Sequence, residues 1–382
     1  MKALFLVDNI PVVEMFEPIV AKLPVGWDAK FISYNGCTDI NCEPLGGENA
    51  KGVKELIERE KPDVIVLARE ETNIVEHLFA TSGVPTLLVP HGALMPNDRR
   101  TWSNSDRYLK VEHLYKLFKQ AYWRLIKGKI PIGRLIQTGL FRLKNDFRDG
   151  ITLSRFDNYS KIATYGEAMR DILIEYKVNP CNIVITGNPK YHKYLNMGLN
   201  KSGKVLLITD YLVEFGLWSK KQMIDYLKDV CDVVYQLTSK NVQILIHPVH
   251  EDKREYNTIA NRYNLTADIY QLELTRLIGE CDMAITVLST SGLEMMVAGK
   301  PLIIYNPYYN PTLYGENSGV YIAHTRSEFF YIIRGLLRDG MSESQKKLAD
   351  AFVYQQTYLQ DGMADERIVD LIVSMAMDGK RC

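Results

Sequence analysis

The sequence carries no net charge, with 46 basic residues against 46 acidic ones in 382 positions. Nucleic acid is therefore not expected as a partner, because affinity for a phosphate backbone rests on an excess of Lys and Arg. No apolar run approaches the roughly 20 residues of a membrane-spanning helix, and the start lacks a charged-then-apolar-then-small signal pattern. The chain is expected to stay in the cytoplasm. Its cysteines, Cys37, Cys42, Cys181, Cys231, Cys281 and Cys382, are scattered without a C-x-x-C pair, which argues against a disulfide frame and a zinc site. No D-x-D occurs, so metal chelation of a phosphate-bearing ligand by that device is not expected, and no G-x-G-x-x-G follows the first apolar run. Neither a metal nor a cofactor is called for.

What the chain does have is a steady alternation of short apolar runs with helical periods. Ala3 to Val7, Asp28 to Tyr34, Asp63 to Ala68 and Pro85 to Val89 read as strands, separated by helices from about Val12 to Lys22, Gly52 to Glu60 and Ile74 to Ser82. That rhythm predicts a parallel sheet with crossover helices. It resumes with Lys161 to Tyr165 and Ile183 to Thr186, pauses between Pro189 and Ser202 as a linker, and restarts at Lys204 to Thr209. The length suggests two domains. We expect an amino-terminal α/β domain over 1–190, a second over 200–360, and a last helix over 361–382 crossing back; after Arg334 the chain reads as helical to its end.

The stretch from Tyr270 to Asn306 reads as helix, strand, tight turn, helix, strand. Leu272, Leu274, Leu277 and Ile278 recur at helical spacing, Met283 to Val287 is a buried-strand run, and Ser289-Thr290-Ser291-Gly292 is its exit turn. Two roles fit those hydroxyls. They cap the following helix, or they and its unpaired N–H groups bind a phosphate. Glu294, one turn further in, is placed to reach a ribose hydroxyl. Upstream, Val242 to Ile246 runs into His247-Pro248; proline ends a central strand, so His247 falls at the carboxyl end, where open parallel sheets bind ligands. Asp210-Tyr211 leaves the first strand of this half on the same side. His250 follows His247 without a third ligand to make a metal site.

Taken in order, strand-His-Pro, strand-Ser-Thr-Ser-Gly with Glu294 three residues on, and Ala298-Gly299-Lys300-Pro301 resemble the nucleotide domain of GT-B glycosyltransferases. They look most like the branch of HP-motif capsule and polysialic-acid transferases and CDP-glycerol glycerophosphotransferases, and like the non-hydrolysing UDP-N-acetylglucosamine 2-epimerases. Thr186-Gly187-Asn188-Pro189 resembles the junction segment of these families, and Asp361-Gly362-Met363-Ala364-Asp365-Glu366-Arg367-Ile368 their closing helix. The resemblance is good over about 180–370 and extends to the amino half only in layout. It implies two doubly wound Rossmann-like domains with an interdomain cleft. It also implies that Gly187, Asn188, Pro189, Asp210, His247, Pro248 and Ser289 to Gly292 surround a nucleotide sugar, that Ile269 and Tyr270 contact its base, and that Glu294 contacts its ribose.

In the amino half, acceptor binding is the role left. His91, in Pro90-His91-Gly92, is the candidate base, since imidazole titrates near neutrality and the adjacent glycine admits a substrate; a packing role is the alternative. Glu70, with Glu71, follows another strand and is a second catalytic candidate, or half of a solvated pair. From Arg99 to Arg148 thirteen Lys and Arg meet three acids, Asp106, Glu112 and Asp146, among aromatics such as Trp102, Tyr108 and Trp123. This insertion, about 99–150, suits an anionic membrane surface or is an ordinary solvated hairpin.

The function expected is transfer of a sugar or glycerophosphate from a nucleotide-activated donor to a glycan or lipid-linked acceptor, with inversion and without metal, on the cytoplasmic face of the envelope. An epimerase-like enzyme is the alternative. It is opposed by His91-Gly92-Ala93-Leu94 where those enzymes have H-x-E-A-G, and by Thr209-Asp210-Tyr211-Leu212 where they have H-R-R-E-N. A non-catalytic nucleotide-sugar binding protein is the third reading.

Overall fold

A computed structural model of the chain describes residues 1–34, 42–69, 74–92, 156, 158–195, 197–198, 201–214, 216–248 and 251–378. The chain divides into two compact units, Met1–Lys190 together with Gln356–Cys382, and Tyr191–Gln355.

Unit 1 is built on seven parallel strands, β1 (Lys2–Val7), β2 (Asp28–Ser33), β3 (Cys42–Pro44), β4 (Val64–Leu67), β5 (Thr86–Leu88), β6 (Lys161–Thr164) and β7 (Ile183–Ile185), in the order β3-β2-β1-β4-β5-β6-β7. In register, Phe5 lies between Phe31 and Val66. Val64-Ile65-Val66-Leu67 is buried on both faces, which explains why it is apolar throughout rather than alternating. The first crossover helix, Ile10–Ala21, starts where Asn9 Oδ1 accepts the Val12 amide at 3.1 Å and Pro11 sets the first turn. Its Val12, Val13, Phe16 and Ile19 are buried against the sheet, each contributing roughly 2 kcal/mol. The helix Ala364–Asp378 joins the same core through Ile368, Val369, Ile372 and Met375.

Unit 2 is built on six parallel strands, β8 (Val205–Ile208), β9 (Val242–Leu245), β10 (Ala267–Tyr270), β11 (Met283–Thr286), β12 (Leu302–Tyr305) and β13 (Tyr321–Ala323), in the order β10-β9-β8-β11-β12-β13. Tyr305 stacks between Tyr226 and Phe329, with ring centroids 5.3 and 4.5 Å away, and anchors the core to the helices Lys220–Thr238 and Arg326–Asp339. Lys300 is 1% exposed. Its ammonium donates to the carbonyls of Ile278, Gly279 and Cys281, closing the carboxyl end of the helix Leu274–Glu280.

The elements differ from the sequence reading at several boundaries. The 190–202 stretch begins with a 3-10 helix, Pro189–Tyr194, and the terminal helical region breaks between Asp339 and Glu343 and between Thr357 and Ala364. Gly340 and Gly362 occupy those breaks with φ of 73° and 75°, a conformation that ends a helix readily only at glycine. The helix that follows His247-Pro248 starts at Lys253, because Asp252 caps it and leaves Glu251 outside. Among the described residues no helix is long and apolar enough to cross a membrane.

Candidate functional site

In an open parallel sheet the crevice for a ligand opens where the strand order reverses, outside the carboxyl ends. In unit 2 the reversal lies between β8 and β11. Thr209-Asp210-Tyr211 leaves one strand there and Val287-Leu288-Ser289 the other. The exit of β9, His247-Pro248, is adjacent.

The β11 exit turn is shaped from behind. Tyr314, 1% exposed, donates its hydroxyl to the Ser289 carbonyl at 2.7 Å. A Cβ on Gly292 would come within 2.4 Å of that hydroxyl and 2.7 Å of Leu302, so only glycine fits. Gly292 and Leu293 donate to the carbonyls of Ser289 and Thr290, and Ser291 N–H reaches Ser289 Oγ at 3.3 Å. Ser291 precedes the short helix Gly292–Val297 in a helical conformation and makes no side-chain capping bond. The Ser291 hydroxyl thus does not cap the helix, while Ser289 Oγ is engaged with the turn's own backbone. Ser289, Thr290 and Ser291 are half-exposed. Glu294 is 5% exposed, and burial first, then its nearby charge, raise the phenol pKa values of Tyr191 and Tyr314.

Asp210 is engaged with the protein. Its Oδ2 accepts the Thr286 hydroxyl at 3.0 Å and the amides of Leu288 and Val287 at 3.1 and 3.4 Å. Enclosure of the carboxyl outweighs those bonds and pushes its pKa up to about 7. The sequence reading missed Glu251. Buried at 6% exposure, it accepts the His247 amide at 2.5 Å and the hydroxyls of Thr209 and Tyr256, and burial raises its pKa. The His247 ring is half-exposed and meets Tyr211 edge-on at 4.6 Å; Pro248 is exposed. Ile269 is buried. Tyr270 is half-exposed under the Arg276 guanidinium at 5.1 Å, and Gln271 Nε2 ties the β10 exit to the Pro248 carbonyl at 2.9 Å.

In unit 1 the order reverses between β1 and β4, and Arg69 Nε contacts Asp8 Oδ2 across the reversal at 2.6 Å. His91 follows β5, its amide on the Ala68 carbonyl at 2.9 Å. Its expected titration near neutrality is corrected. Burial, then the charges of Arg69 and Lys190, hold the imidazole at about 3, so it is neutral at pH 7 and a weak base. Glu70 and Glu71, His250, and the whole of the basic segment 99–148 lie outside the described residues.

Gly187, Asn188 and Pro189 are buried in unit 1. Asn188 Nδ2 donates to the Pro90 carbonyl at 3.1 Å, so it positions the loop carrying His91. Arg367 donates to the Thr186 carbonyl at 2.7 Å and pairs with both oxygens of Asp361. Ala364 sits 3.2 Å from where a Gly187 Cβ would stand. The two distant motifs, Thr186 to Pro189 and Asp361 to Arg367, are one clasp. Neither predicts the other from sequence, because the bond joining them spans 181 residues.

No family model and no curated protein matches the chain. Solved structures do. A UDP-GlcNAc 2-epimerase from Neisseria meningitidis bound to UDP-GlcNAc is similar over 98% of this chain and 100% of its own, with a TM-score of 0.60 at 13% identity. The wall teichoic acid polymerase TagF is similar over 99% of this chain and 89% of its own, with a TM-score of 0.60 at 13% identity. The fold is GT-B-like. A UDP-GlcNAc 2-epimerase from Methanocaldococcus jannaschii, at 13% identity and a TM-score of 0.57 over 98% of this chain and 100% of its own, has it too. The two doubly wound sheets expected from the alternation are therefore present, in the architecture that the resemblance implied.

Proposed function

We propose that the protein is a nucleotide-sugar enzyme of GT-B type that transfers a sugar or glycerophosphate from a nucleotide-activated donor to a glycan or lipid-linked acceptor. The observation that carries this reading is the β11 exit turn, whose three hydroxyl residues are half-exposed at the strand-order reversal and whose Ser291 does not cap the helix behind it. Such a turn suits the phosphates of a departing nucleotide. The half-exposed His247 ring, on the adjacent strand exit, offers a further donor. Tyr270 offers a ring for the base, and Glu294 a carboxylate for the ribose.

Leaving-group stabilisation by hydroxyls and imidazole needs no divalent ion, so turnover is expected to survive EDTA. His91 serves this reading as a neutral acceptor of a hydrogen bond from the acceptor hydroxyl. Glu70, which follows β4 in the sequence, is the carboxylate proposed to take the proton, since an ordinary carboxylate is a stronger base than an imidazole held at about 3.

The names of the similar structures support both an epimerase and a polymerase. The departures at His91-Gly92-Ala93-Leu94 and Thr209-Asp210-Tyr211-Leu212 weigh against the epimerase. Incubation with UDP-, CDP- and GDP-activated donors, with and without acceptor, separates the readings. Acceptor-dependent release of free nucleotide is the expected result. A 2-epimer as sole product supports the epimerase, and binding without turnover in every combination supports a binding protein. Docking of segment 99–148 on an anionic membrane is part of the proposal, tested by sedimentation with phosphatidylglycerol liposomes at low and high salt.

A further inference from the structure

We propose that Asp210 and Glu251 are positioning residues, two enclosed carboxyls that tie the exits of β9, β8 and β11 into one frame behind the phosphate turn. Glu251 joins the first two exits, holding the His247 amide and the Thr209 hydroxyl. Asp210, the next residue after Thr209, joins the second and third by holding Thr286, Val287 and Leu288. Each of these bonds comes from a hydroxyl or a main-chain amide, so the frame is set by neutral donors. The inference rests on the reading of Ser289 to Gly292 as the phosphate turn.

The frame has a second property. The groups facing Asp210 are Glu251 ahead of the helix Lys253–Tyr263, Tyr226 on the helix Lys220–Thr238, Tyr314 from the loop after β12, and the three donors on β11 and its exit. Burial first, and then the second acid, favour the protonated carboxyl, whose pKa stands at about 7. By linkage the closed turn therefore prefers a proton on Asp210 and loosens as pH rises through 7. A bound phosphate adds negative charge nearby and strengthens the same preference, so nucleotide binding takes up a proton here.

The test uses the full chain, amide hydrogen exchange and calorimetry with UDP, CDP and GDP. In the unliganded wild type, protection of the peptide spanning 283–293, corrected for the intrinsic pH dependence, should be about tenfold higher at pH 6 than at pH 8. In Asp210→Asn it should be high and flat. Asp210→Ala should lower it at both pH values, and Glu251→Ala should loosen the β8 and β9 exits together. At pH 8 Asp210→Asn should bind its nucleotide about tenfold tighter than the wild type, with the two converging at pH 6, the variant correcting for titration of the ligand itself. Wild-type protection that does not change with pH, or an Asp210→Asn profile that follows it, overturns the inference. Titrating protection with no nucleotide bound leaves the frame standing and removes the nucleotide reading. Nucleotide binding unaffected by Asp210→Ala does the reverse.

Discussion

The two units compensate their enclosed acids differently. In unit 1 Asp8 spans the strand-order reversal to the guanidinium of Arg69, and Glu60 is surrounded by Lys2, Lys30 and Arg59. In unit 2 Asp210 spans the corresponding reversal to a hydroxyl and two amides. Cations favour the charged carboxylate and hold Glu60 at about 2, whereas enclosure among neutral donors moves Asp210 to about 7. The same fold thus carries one reversal clamped by charge and one governed by a proton.

Removing the clamp should have the largest effect. Asp8→Ala leaves the Arg69 guanidinium without its carboxylate partner, and we expect a loss of about 3 kcal/mol in urea unfolding. A loss below about 1 kcal/mol would show that the pair is screened like a surface bridge.

The pH dependences of the two units should run in opposite directions. Glu60, lowered in the folded state, contributes stability that is present above its ordinary value of 4.5 and is lost as pH falls to about 2. Asp210, raised in the folded state, contributes stability that is full below about 4 and is lost as pH rises to about 7. Asp210→Asn should therefore be more stable than the wild type at pH 8, by on the order of 2 kcal/mol, and should lose that advantage at low pH. Unfolding curves at pH 5 and pH 8 decide it. An equal difference at both would mean that the amide acts through packing alone.

Gly292→Ala should cost about 1–2 kcal/mol, since its methyl meets the Tyr314 hydroxyl and Leu302, and it should abolish nucleotide-induced thermal stabilisation. Retained stabilisation would move the phosphate elsewhere. The smallest stability effect is expected for His247→Ala, under about 1 kcal/mol because the ring is half-exposed and its amide bond to Glu251 remains. Turnover should nonetheless fall by about a hundredfold; full activity would exclude the imidazole from the site.

The sequence pattern was most informative where the signal is local. Strand runs ending in His247-Pro248 and Ser289 to Gly292 are legible because apolar runs and turn residues act over a few positions. The edge strand Cys42–Pro44 was not, being three residues long with no apolar period. Glu251 was not legible as a site residue, because its role depends on Asp252 taking the cap of the next helix. Tyr314 shapes a turn 25 residues away, a contact only the fold creates. The state of His91 was misjudged for the same reason, as its pKa follows from burial and from Arg69 and Lys190, none of which its neighbours in sequence reveal.

The clasp of Arg367 on the Thr186 carbonyl and the packing of Ile368, Val369, Ile372 and Met375 beside Phe5 and Phe16 bear on synthesis. Unit 1 is discontinuous, interrupted by the whole of Tyr191–Gln355. On the ribosome unit 2 is complete first, while unit 1, whose seven strands are all made earlier, waits with an apolar face uncovered until residues 364–378 emerge. A nascent chain halted before Ala364 should therefore present that face to chaperones, and the order of folding would run opposite to the order of translation.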